Sequence, residues 1–191
     1  FRRVLFRSHR SSGKQNSNAV DVAGVVMNHI NTALEEHENR GIKDRLRVKI
    51  DTIGVGWGVV SMLDKWVKET QLKADIIGVN VAERPKDQGK FKNQRAEMWW
   101  NGRTMIQADK DGRVPIRLEG DRRILTQLST PSYHSDASGR IIIESKQAMK
   151  KRGMSSPDRG EAILLALYEP PFGGPAPVVA PIALDQVNPW T

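Results

Sequence analysis

A chain of 191 residues, 38% hydrophobic and 27% charged, suits one globular domain with tails. The absence of cysteine excludes disulfides, thiolate catalysis and cysteine-based zinc sites, and four histidines without ligand spacing argue against a histidine-based one. The longest unbroken apolar run, residues 162–168, is far short of the ~20 residues that cross a bilayer, so no membrane association is expected.

The formal net charge is +8, but residues 1–14 hold five bases (Arg2, Arg3, Arg7, Arg10, Lys14) and no acid. The remainder is only weakly basic, so the high isoelectric point alone says little about nucleic acid. That first stretch starts at Phe1 and lacks the apolar core of a secretory signal. Residues 1–15 are expected to be a basic tail that is either non-native or left from a truncated upstream segment.

From Ser17 the pattern becomes helical. Val20, Ala23, Val26, Met27, Ile30, Ala33 and Leu34 recur at three- and four-residue steps, with Ser17 or Asn18 as cap and a break at Gly41. Leu46–Asp51 alternates apolar and basic residues and ends in a carboxylate, which predicts a strand. Gly54, Gly56 and Gly58 follow, then a helix over 59–68 and a short apolar strand over 74–81. Strand, glycine turn, helix, strand is a βαβ unit and implies parallel pairing in an α/β domain.

Beyond Pro85 the chain is basic and polar up to Phe91, where a helix running past Trp99 and Trp100 is expected to begin. Asp111 and Gly112 mark a turn, and Asp121 caps a short helix through Leu128. Tyr133 and residues 141–143 flank a hairpin turn at 136–139. Ser145 opens a basic helix that stops at Gly153. Ser156 and Pro157 start a last, apolar helix over 161–168, with proline in its first position. The Pro-rich residues 170–191 read as an extended tail, which leaves one packed domain over 16–169.

Three features carry candidate chemistry. Asp51 ends a parallel strand, where α/β domains bind ligands, although a purely structural role is equally open. The glycines after it lack the Lys-Ser/Thr of a phosphate-binding loop and the dinucleotide spacing, and fit a tight turn better. Asp158 and Glu161, at i and i+3 in a first helical turn, share a face that can hold a divalent cation, but the same placement also complements the helix dipole. Last, residues 84–103 interleave Arg84, Lys86, Lys90, Lys92, Arg95 and Arg103 with Phe91, Trp99 and Trp100. Together with Lys146, Lys150, Lys151 and Arg152, these bases suit a phosphate-backbone surface around an acidic cluster, with at least one tryptophan packed inside.

Taken in order, residues 46–60 (LRVKIDTIGVGWGVV), 78–100 (GVNVAERPKDQGKFKNQRAEMWW) and 139–167 (GRIIIESKQAMKKRGMSSPDRGEAILLAL) resemble the C-terminal nuclease domain of phage terminase large subunits. The likeness covers about residues 17–169 and rests on three motifs in combination: the strand-end Asp before a glycine-rich turn, N-x-R-A-E-M-W-W, and I-E-S-K…R-G…S-P-D-R. It implies an RNase H-like α/β fold that cuts double-stranded DNA with two magnesium or manganese ions, held about 3.5–4 Å apart by carboxylates. Asp51, Asp158 and Glu161 match the family's catalytic, metal-binding acids. Glu161 departs from the usual aspartate at its position. Arg84, Lys90, Lys92, Arg95, Lys146, Lys150, Lys151 and Arg152 are the expected DNA contacts, and the 136–139 hairpin resembles an insertion near the DNA.

The resemblance also implies a packaging motor in the host cytoplasm, with double-stranded DNA, a terminase small subunit and a portal as partners. The family's first strand, with its first catalytic Asp, and its ATPase domain have no counterpart here. An incomplete nuclease domain with an exposed sheet edge is therefore expected. Alternatives are a fragment that binds DNA or the motor without cutting, and another RNase H-like nuclease such as a Holliday-junction resolvase.

Overall fold

The computed structural model describes residues 18–112, 114, 116, 118 and 121–171. The basic tail and nearly all of the Pro-rich tail lie outside the described residues.

The first helix, α1 (Ala19–Asn39), is capped by Asn18, whose side chain accepts a hydrogen bond from the Asp21 N–H at 2.8 Å. Its apolar stripe buries Ala23 and Ile30 and lays Val22, Val26, Met27 and Leu34 against the core. The chain reverses through Gly41 at φ +64°, a conformation that suits glycine, and enters β1 (Leu46–Asp51). Gly54, at φ +71°, turns it into α2 (Gly56–Glu69), and β2 (Ala74–Val79) follows. The strands pair in parallel, with Leu46 opposite Ala74 and Asp51 opposite Val79. This is the expected βαβ unit. The second strand stops at Val79 rather than Val81 because the Asn80 side chain accepts the Ala82 N–H and closes a turn.

Strand periodicity then sorts the residues into layers. Leu46, Val48, Ile50 and Ile76 pack with α1 and α2, whereas Ile77 and Val79 turn to the opposite face. There they meet Met98 and Trp99 of α3 (Gln94–Ile106) and Leu164, Leu165 and Tyr168 on and just after α6 (Asp158–Leu167). The result is a layer of helices on each face of a short parallel sheet. Among the described residues that sheet has two strands, so each keeps one edge without a strand partner.

The alternating bases of β1 have a structural role. Arg47 forms a two-pronged ion pair with Glu169 (2.7 and 2.8 Å), and Lys49, with a side chain only 3% exposed, donates to the carbonyl oxygens of Ala166 and Tyr168. Burial pulls the Lys49 ammonium below its ordinary pKa, against the opposing effect of Glu169. These contacts tie the C-terminal end of α6 to the sheet.

The remaining elements lie on the α3–α6 side: α4 (Arg122–Ser129, capped by Asp121), the antiparallel hairpin β3 (Tyr133–Ser135) and β4 (Ile141–Ile143), and α5 (Lys146–Lys151, capped by Ser145). Three expected helix starts shift. α2 begins at Gly56, not Val59, so Gly56 and Gly58 lie in its first turn; α3 begins at Gln94, not Phe91, because the Asn93 side chain caps it; and α6 begins at Asp158 with Pro157 as the cap residue.

Gly56 shows why the turn after β1 needs glycine. A Cβ there would stand 1.8 Å from the Asp51 carbonyl oxygen, which is backbone and cannot swing aside. Gly56→Ala is expected to lower stability by about 1–3 kcal/mol. Gly24→Ala, inside α1 with nothing within 4 Å of the added Cβ, should raise it by about 0.5–1 kcal/mol. Chemical denaturation of the two variants checks the contrast.

Candidate active site

Two elements carry the candidate acids and a third carries a base that joins two of them. Asp51 closes β1, where its side chain accepts a hydrogen bond from the Ile53 N–H at 3.0 Å. Asp158 and Glu161 open α6 on one face, as their spacing predicts. Lys146, at the start of α5, reaches between them, with its Nζ 3.1 Å from Asp158 Oδ1 and 2.8 Å from Glu161 Oε2.

Asp51 is near enough for the charges of Lys146 and Glu161 to act on it. Its pKa is raised, first by burial, and the Glu161 carboxylate adds to that while the Ile53 N–H and Lys146 oppose it. Burial also disfavours the Lys146 ammonium, but Glu161 and Asp158 outweigh it and hold its pKa above the ordinary value.

Glu161 is far more enclosed than Asp158, with its side chain 13% exposed against 50%. Besides Lys146, it accepts from Arg95 Nε at 2.7 Å and from the Trp99 indole N–H at 3.3 Å. Arg95 also donates to the carbonyl oxygen of Glu144 at 2.8 Å, and its side chain is 14% exposed. Arg95 therefore lies within the fold and does not join the solvent-facing bases proposed to contact DNA.

Carboxylate oxygens suit magnesium or manganese. In the arrangement seen, however, these acids do not make a metal site. Among the described residues no three His, Asp or Glu side chains stand close enough to hold an ion, and the cation between Asp158 and Glu161 is the Lys146 ammonium.

The other candidate bases divide into two groups. Arg84, Lys90, Lys92, Lys150 and Lys151 are solvent-facing. Arg152 is engaged, donating to both oxygens of Glu144 at 2.7 Å and to the Thr130 carbonyl. This pairing holds Glu144 far below its ordinary pKa, at about 2.

Sequence reasoning misses Glu97. At 3% exposure it accepts the N–H groups of Lys86 and Asp87 (3.0 and 3.1 Å) and the Tyr168 hydroxyl, so it fixes the basic 84–92 loop to α3 and to the end of α6. Burial, reinforced by Glu97, pushes the Tyr168 hydroxyl well above its usual pKa. The available signal was a lone carboxylate inside the apolar run Ala96, Met98, Trp99, a place where an acid needs several donors.

The fold is α/β and RNase H-like, and it is similar to that of the nuclease domain of the large terminase subunit gp2 of bacterial virus Sf6. Against that domain the TM-score is 0.56 with 17% identity, over 74% of this chain and 71% of the other. A mutant of the Sf6 domain solved with manganese matches at TM-score 0.56 and 17% identity, over 74% and 72%. A mutant with calcium also gives 0.56 and 17%, over 74% and 71%. No protein-family model matches the chain, and no curated protein does. The likeness is one of fold.

Two titrations test the electrostatics. Because the folded state raises the pKa of Asp51 above 3.8, its contribution to stability falls as pH rises through that value to the raised one. Asp51→Asn should therefore melt higher than the parent at neutral pH and lose that part of the pH dependence. Glu144 has the opposite sign: its folded pKa is depressed from 4.5 to about 2, so the stabilisation is present above 4.5 and disappears as pH falls through about 2. Carboxyl-carbon NMR should find this low titration, and Arg152→Gln should move it back towards 4.5.

Proposed function

We propose that this chain is the nuclease domain of a phage terminase large subunit, acting on the phosphodiester bonds of double-stranded DNA in a packaging motor. The observation that supports this most directly is that Asp158 and Glu161 share the Lys146 ammonium at the start of α6, with Asp51 at the end of β1 near enough for Lys146 and Glu161 to act on its charge, in a fold shared with a terminase nuclease. The end of a parallel strand is where open α/β sheets place ligands.

In this reading the carboxylates are the acidic centre and would hold magnesium or manganese only once the Lys146 ammonium has given way; the ion would then supply water activation and stabilise the leaving oxygen. The chain's own residues position the centre. Arg95 and the Trp99 indole hold Glu161 in place, and Lys146 neutralises two acids that would otherwise repel each other in the first turn of α6. The solvent-facing Arg84, Lys90, Lys92, Lys150 and Lys151 suit phosphates flanking the centre. Such contacts carry no base information, so cutting without sequence preference is expected. A small subunit and a portal are the proposed protein partners, in the host cytoplasm. Among the described residues no helix is long and apolar enough to cross a membrane.

A second reading, binding DNA without cutting it, is favoured by one observation: the Lys146 ammonium lies between two of the three acids and would have to give way to a metal ion.

Incubation of supercoiled plasmid with magnesium or manganese separates the two. Nicking by the chain, reduced about 100-fold or more in Asp51→Asn, is the expected result, and Lys146→Ala should lower the metal concentration needed. A gel shift without nicking in either protein would move the conclusion to the second reading. No shift at low salt, where phosphate contacts are strongest, overturns both.

A further inference from the structure

The hairpin carries an aromatic surface that the acidic centre does not use. Tyr133, on β3, is 55% exposed, and its ring stands edge-on to Trp100 with centroids 5.2 Å apart and planes at 83°. Trp100 in turn tilts against Phe91 at 6.5 Å. Two cations flank the group: Arg103 lies 4.9 Å from the centre of the Trp100 ring, and Lys90 Nζ lies 5.3 Å from that of Phe91.

The acids of the hairpin are engaged: Asp136 pairs with Arg140 at 2.8 Å and Glu144 with Arg152 at 2.7 Å. Nearer to Lys90, the Asp87 carboxylate accepts the Lys90 backbone N–H at 3.0 Å. Among the described residues neither Lys90 nor Arg103 has a carboxylate within ion-pair distance. Their positive charge therefore faces outward beside an open aromatic ring.

That combination differs from what an intact duplex requires. In a duplex the bases are stacked on one another, so its backbone calls only for cations, and a half-open tyrosine ring would have nothing to stack against. Exposed aromatics among cations suit unpaired bases, whose faces are free and whose phosphates lie close by. The surface is also wired to the acidic centre. Tyr133 pairs across the hairpin with Ile143, and the carbonyl of the next residue, Glu144, accepts from Arg95, which holds Glu161.

We propose that Tyr133, supported by Trp100 and flanked by Lys90 and Arg103, is a stacking platform for an unpaired base of single-stranded DNA next to the cutting site. The inference rests on the DNA-acting reading above and adds a preference for unpaired strand at the hairpin.

Fluorescence anisotropy at low salt, with a labelled single-stranded oligothymidine and a blunt duplex of the same length, tests it on the full chain. Tyr133→Ala should weaken oligothymidine binding about tenfold, the scale of one lost base–aromatic stack, and leave duplex affinity unchanged. Tyr133→Phe, which keeps the ring, should bind both as the parent does. Circular dichroism confirms that each variant is folded. Equal loss on both probes, or no loss on oligothymidine, overturns the platform while the duplex-binding reading stands. Failure of the parent chain to bind either probe removes the DNA-acting reading and the platform with it.

Discussion

Arg95 is the residue on which the rest of the arrangement depends. One guanidinium, almost out of solvent, joins the start of α6 through Glu161 to the exit of the hairpin through the carbonyl oxygens of Ile143 and Glu144. A buried charge pair of this kind is weak evidence of net stability, because desolvating both ions offsets much of their attraction. Its role is one of specification. Removing one partner would leave the other charged and enclosed, at a cost of about 3–5 kcal/mol. The helix that carries two of the three acids can therefore dock in one position.

Around that junction the sheet and α6 fix each other. Lys49 and Arg47 take hold of the last turn of the helix, while Lys146 and Arg95 take hold of its first. Cations thus meet both the free carbonyls at one end and the acids at the other. The acids belong at the helix start for dipole reasons as well. The same residues can serve folding and chemistry, which is why Asp158 and Glu161 are ambiguous when read alone.

Much of the frame was legible from the pattern of residues. The βαβ unit follows from the alternation over Leu46–Asp51, the glycine turn and the apolar strand after it, and Asn18, Asp121 and Ser145 announce their helices by side-chain capping. What stayed hidden depends on partners far along the chain. Arg95 looks like every other base between Arg84 and Arg103 until Glu161, 66 residues on, encloses it. Lys49 is one of the bases that alternate with apolar residues over Leu46–Asp51, yet the carbonyls at the end of α6 bury it. Glu97 sits in an apolar run where a propensity argument has no use for a carboxylate; only the folded 84–92 loop supplies its donors. A strand end and a helix start are local signals, and they made the three acids candidates. The way Lys146 bridges two of them is a tertiary fact.

The hairpin is joined to more than its own two strands. Phe91 forms a parallel bridge with Ile141: the Ile141 N–H donates to the Lys90 carbonyl at 2.8 Å and the Lys92 N–H to the Ile141 carbonyl at 3.0 Å. The basic loop is therefore a third rail of the hairpin, and its far end is held by Glu97 and Tyr168 beneath. In mechanical terms the hairpin and the basic loop form a braced bracket with two feet in the core. A load applied at its tip is passed down to α3 and α6 together, and a sideways swing would first have to break a ladder of backbone hydrogen bonds.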